Sequence, residues 1–101
     1  MSPCQLSLRH LRKTYPLVGV TEHWNAFARI RQDLFGCIDM LAIGPDILAV
    51  QTTSATNISV RVRKLNASPA LPHLRAAGIR VLIHGWRKNA EGRWTLREVS
   101  L

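Results

Sequence analysis

Apolar positions along this chain change period several times, and each change marks an element. Cys4, Leu8, Leu11 and Tyr15 recur at helical spacing while Arg9, Arg12 and Lys13 fall on other faces, which predicts an amphipathic helix at the start. Ser2 supplies a capping hydroxyl, Pro3 suits the first turn, Gln5 completes the cap, and Pro16 prevents continuation. "LVGVTEHWN" reads as one strand with Val18, Val20, Glu22 and Trp24 on a common side. "AFARIRQDLFG" mixes polar and apolar residues with no clean period, so it is expected to be a connecting loop.

The next stretch, "CIDMLAI", "GPD", "ILAVQTT", is a hairpin whose arms are apolar on both faces, the pattern of a sheet covered on both sides by helices. With "GPD" as a three-residue loop, Ile43 faces Ile47, Leu41 faces Ala49, and Asp39 faces Gln51, with Thr53 on the same side. "NISVRVRKLN" fits a strand by alternation and a helix by the spacing of Ile58, Val62 and Leu65; propensity slightly favours the strand. Ser68 and Pro69 open a short helix closed by Gly78, "IRVLIHGW" is a strand, "RKNAEGR" a turn and "WTLREVS" a last strand. The fold class is therefore α/β, with a central mixed sheet flanked by helices, in one domain spanning residues 1–101.

Charge adds a partner to this picture. Fourteen Lys and Arg stand against six Asp and Glu, a formal net charge of +8 and a pI near 11.1. A polyanion answers that field, most often nucleic acid, although anionic lipid or an acidic protein surface answers it too. The first fifteen residues have neither a secretory core nor a cleavage site, and no apolar run reaches membrane-spanning length, so a cytoplasmic protein of a bacterial or phage-infected cell is expected. Cys4 and Cys37 match no metal-binding pair and read as reduced, partly buried thiols.

Candidate chemistry centres on the hairpin. Asp39 and Gln51 converge at one end of the sheet with Glu22 at hand from the preceding strand, an oxygen-donor set suited to Mg²⁺ or Mn²⁺. Equally open is a structural role, in which Asp39 binds backbone N–H groups or Arg31 while Gln51 satisfies a strand edge. His10, His23, His73 and His84 lack zinc spacing and read as structural or surface residues; His84, ending its strand, is placed to reach substrate from the rim. Trp86 and Trp94, with Arg87, Lys88 and Arg93 nearby, fit either base stacking or core packing.

The run "RQDLFGCIDMLAIGPDILAVQTTS", with "GWRK" later, resembles the PD-(D/E)XK nuclease superfamily, in particular its small phage and bacterial Holliday-junction-resolvase-like or VRR-NUC-like members. The resemblance implies a restriction-endonuclease-like core and a helix over residues 58–65. It further implies a metal-dependent DNA nuclease, acting on branched or structured DNA as a homodimer, with Asp39, Gln51 and the optional acid Glu22 holding a weakly bound Mg²⁺ or Mn²⁺. Thr53 stands where the family's lysine belongs and cannot replace its charge; Arg31, Arg61, Arg63 and Lys64 are the candidate substitutes. Arg31, Arg61, Arg63, Lys64, Arg87 and Lys88 are the expected nucleic-acid contacts. Two alternatives accompany this reading: a binding module that keeps the fold without turnover, and a phage-type interaction protein that meets an acidic host partner.

Overall fold

The computed structural model describes residues 1–101. Helix α1 (Pro3–Leu11) starts as its sequence predicts: Ser2 Oγ accepts from the Gln5 N–H, and the Gln5 side chain accepts from the Ser2 N–H. Strands β1 (Leu17–Val20), β4 (Met40–Ile43), β5 (Ile47–Ser54), β6 (Arg80–Lys88) and β7 (Trp94–Ser100) form a mixed sheet in the order β1-β4-β5-β6-β7, in which only β5 and β6 run parallel. Between β5 and β6 lie a 3-10 turn (Ala55–Asn57), α2 (Ile58–Asn66) and α3 (Ala70–Ala76).

The two-sided hydrophobicity of the hairpin has its expected cause. Met40, Ala42, Leu48, Val50 and Leu82 pack with Leu11 and Val18 on the α1 face, while Ala49, Val81 and Ile83 pack with Ile58, Leu65, Leu71 and Leu74 on the α2–α3 face. Residues 58–66 are thus helical against their strand propensity, because a helix turns Ile58 and Leu65 onto the sheet together. Their seat depends on Gly85: a Cβ there would run into Ile58 and come 3.2 Å from the Ala55 Cα. At the far end of the sheet Asp46, in the hairpin loop, accepts from the Tyr15 hydroxyl (2.6 Å) and from Arg80 (2.9 Å), tying α1, the loop and β6. These two bonds hold its carboxyl below the usual carboxylate range.

Two expectations fail between residues 17 and 36. The single strand over Leu17–Asn25 is broken: the N–H groups of Thr21 and Glu22 both turn onto the Asp39 carbonyl (2.8 and 3.2 Å), which lifts the chain off β4. Val18 and Val20 share a face within β1, although only Val18 is buried, whereas Trp24 belongs to a separate sheet. The expected loop contains a strand, since β2 (His23–Asn25) and β3 (Ile30–Gln32) form a separate two-stranded hairpin. Its large side chains point into solvent, which is why no burial period marked it. No helix is long and apolar enough to cross a membrane.

Candidate metal centre

The predicted register across the "GPD" loop is present, with Ile43 opposite Ile47 and Leu41 opposite Ala49. Backbone pairing then steps aside: the Asp39 N–H bonds to the carbonyl of Val50, one residue short of Gln51. The Asp39 side chain completes the edge instead. Its Oδ2 accepts from the Thr52 N–H at 2.7 Å and from Thr52 Oγ1 at 3.0 Å, capping a donor that β4 is too short to reach. The structural role left open for Asp39 is therefore real, but it occupies one oxygen only.

The other oxygen faces a second acid that the sequence reading passed over. Leu34 and Ile38 bridge across a tight reversal, with Phe35 at φ +55° and Gly36 at φ +74°, so Asp33 returns beside Asp39. A left-handed Phe costs about 1–2 kcal/mol, strain stored at the turn that brings the two acids together. The available signal was D-x-x-G-x-x-D: two acids spaced evenly about a glycine-containing turn come together when Leu34 and Ile38 bridge. It was hidden by treating residues 26–36 as a loop.

Glu22, Asp33 and Asp39 each bring a carboxylate oxygen within 4.8 Å of the others. Half of the chain's six carboxylates thus occupy one spot in a protein of charge +8. At an effective dielectric near 20, two such charges repel by about 3 kcal/mol. Partial relief comes from Arg31, 3.1 Å from Glu22, and Lys64, 3.7 Å from Asp33. The Gln51 amide lies beneath, its Nε2 donating to Asp33 Oδ2 (3.2 Å) and Asp39 Oδ1 (3.4 Å). Gln51 is 1% exposed, and its Oε1 is the one buried side-chain polar atom without a partner. Such an orphan costs about 1–3 kcal/mol. Burial, then the hydrogen bond shared with Asp33, pushes the Asp39 carboxyl up to about 6 against the opposing Thr52 bonds.

This cluster forms one wall of a cleft of about 620 Å³, whose opposite wall is the start of α1. Arg61 of α2, Thr53 and Cys4 also line it. Burial, with the nearby Asp39 and Glu22 charges, raises the Cys4 thiol above its ordinary value. The donor set fits a hard divalent cation: three carboxylates and one amide carbonyl, all oxygen, on a site open enough for water. With a cation present the Gln51 amide would turn over, giving its unpaired oxygen to the ion.

Other expected site residues stand apart. Arg63 is exposed and lines no part of the cleft, because on α2 it falls on the solvent side, away from Arg61. Arg87 lies in a separate cleft with Thr56, Thr95 and Arg97, and Lys88 rests over the Trp94 ring at 5.1 Å, so neither reaches the carboxylates. His84 is not at the rim. It is fully buried under α1, where Ser7 Oγ meets its Nδ1 at 2.9 Å and its Nε2 meets Glu98 at 3.0 Å. Trp86, also buried, donates to Ser7 Oγ at 2.8 Å, which leaves the Ser7 proton for His84 Nδ1 and fixes the Nε2–H tautomer. Burial lowers the His84 pKa, with Glu98 opposing. No protein family, no curated protein and no solved structure matches this chain. The centre's chemistry rests on its own geometry.

Proposed function

We propose that this protein is a divalent-cation-dependent nuclease acting on DNA, built on a restriction-endonuclease-like core. One observation carries the reading: three crowded carboxylates and a buried amide, whose nitrogen meets two of them while its oxygen goes unpartnered, line an open cleft in a strongly basic chain. The Asp39–Gln51 hairpin, the helix that follows it and the mixed sheet support the core assignment. Asp33 adds the negative charge that Gln51, in place of an acid, withholds.

Glu22, Asp33, Asp39 and Gln51 would hold Mg²⁺ or Mn²⁺. Such an ion supplies an activated water at neutral pH and neutralises charge developing on a scissile phosphate. Arg61 and Arg31, both lining the cleft, are the groups that bind and orient the phosphate oxygens. Lys64 replaces the absent lysine at position 53: its ammonium already reaches the acids from α2. Asp39 keeps β5 in place through Thr52 while its other oxygen, met by the Gln51 amide, would serve the ion, so one side chain links the sheet edge to the reactive centre.

Labelled single-stranded, duplex and four-way-junction DNA incubated with Mg²⁺ or Mn²⁺ tests this. Cutting is expected that stops with chelator and falls at least about 100-fold in Asp33→Asn, a loss of about 3 kcal/mol of transition-state stabilisation. Cutting that survives both Asp33→Asn and Asp39→Ala would remove the centre from the chemistry. A second reading, a binding module without turnover, is favoured by Thr53 and by the present pairing of Lys64 with Asp33; binding without cutting in every metal would select it.

A further inference from the structure

The β2–β3 hairpin leaves its three large apolar side chains unused by the fold. Trp24 is 59% exposed, Ile30 49% and Phe27 fully so, and none belongs to either core cluster. Between His23 and Gln32 there are two arginines, Arg29 and Arg31, and no acid. The tip is nevertheless ordered by design of its sequence. Asn25 Oδ1 accepts from the N–H groups of Phe27 and Ala28 (3.0 and 3.1 Å), and Arg29 closes the turn at φ +54°, a conformation rare outside glycine. A fully exposed aromatic ring on a pre-shaped tip is set out for a flat partner.

Direction comes from the register. Trp24 pairs with Arg31, so the two project to the same face of the hairpin, and Arg31 is the residue bonded to Glu22 of the carboxylate cluster. The indole is thus the cross-strand neighbour of a residue that lines the cleft, and Phe27 follows it in the turn that joins β2 to β3.

We propose that this hairpin is a stacking prong that recognises the point where duplex DNA opens into single strand: the first unpaired base stacks on Trp24, Phe27 caps the last base pair, and Arg29 holds the backbone. This rests on the DNA reading above and narrows its substrate to forked or branched DNA. Aromatic faces accept any base, and the flanking cations match phosphate, so the preference is for shape and not for sequence.

The test is equilibrium binding in chelator, where no cleavage intervenes, to a fork carrying 2-aminopurine as its first unpaired base and to a plain duplex of equal length. Wild type is expected to prefer the fork at least about tenfold and to change the 2-aminopurine emission. Phe27→Ala and Trp24→Ala should each lose most of that preference with duplex binding and melting temperature unchanged, and Phe27→Trp should keep it. Equal binding to fork and duplex, or a preference untouched in both alanine variants, overturns the prong while leaving cation chemistry intact. Fork preference without cleavage in any metal does the reverse. No DNA binding by wild type overturns both, and a concentration-dependent dimer abolished by Phe27→Ala would reassign the hairpin to a second copy of the chain.

Discussion

Two buried polar clusters lie on either side of the α1 N-terminal half, and they differ in one respect. Under α1, the buried Ser7, His84 and Trp86 pair with one another, and His84 pairs with the half-exposed Glu98, which leaves none of these side-chain polar groups without a partner. Across the cleft, Glu22, Asp33, Asp39 and Gln51 crowd like charges together and leave an oxygen without a partner. The serine–histidine–glutamate string looks more like catalytic machinery on paper, yet its serine and histidine are fully buried. The unsatisfied cluster is the open one. Buried polarity becomes a functional signal where it is incomplete, because a complete network has no free energy left to give a ligand.

That contrast breaks most sharply on Asp39→Ala. The variant is expected to lose at least 100-fold in cation-dependent cutting and all cation-induced rise in melting temperature, whereas Ser7→Ala keeps both. Equal behaviour of the two variants in a thermal-shift titration with Mn²⁺ would erase the distinction. Ser7→Ala in turn leaves the Trp86 N–H and His84 Nδ1 unpaired, and is expected to cost about 2 kcal/mol, on the order of 10 °C in a chain of this size. Calorimetry reads this directly.

The clusters also respond to pH with opposite signs. Asp39 has a folded pKa of about 6, above its ordinary 3.8, so its contribution is fully present below pH 3.8 and is lost as pH rises through 6. His84 has a folded pKa below its ordinary 6.5, so its contribution is present above pH 6.5 and is lost as pH falls through the folded value. In cation-free protein, Asp39→Asn should gain stability over wild type from pH 5 to pH 8, by on the order of 1–2 kcal/mol. His84→Gln should flatten the acid limb instead. Stabilisation by Mn²⁺ should fade below pH 6, where Asp39 holds its proton. The smallest effect belongs to the rim: Arg31→Ala, breaking an exposed pair with Glu22, is expected to shift stability by less than about 1 kcal/mol while weakening DNA binding.

The helix start at Ser2, the hairpin register from Leu41 to Ala49 and the nearness of the Asp39 and Gln51 side chains were legible because each follows from spacing within a short window. Asp33 was not, since the turn at Phe35–Gly36 requires a backbone conformation that propensity does not favour. Residues 58–66 show the same limit from the other side: β-branched residues read as a strand until a sheet is present for Ile58 and Leu65 to cover.

Residue order alone determined the α/β class, the basic surface and the one acidic hairpin worth watching, since periodicity and net charge are local or additive properties. Tertiary structure decided which polar groups are satisfied. His84 sits far along the chain from Ser7, and Glu22 and Asp33 meet Asp39 only once the chain after β1 has turned away from β4. Such closures depend on where several elements stop relative to one another, and no window of sequence contains that information.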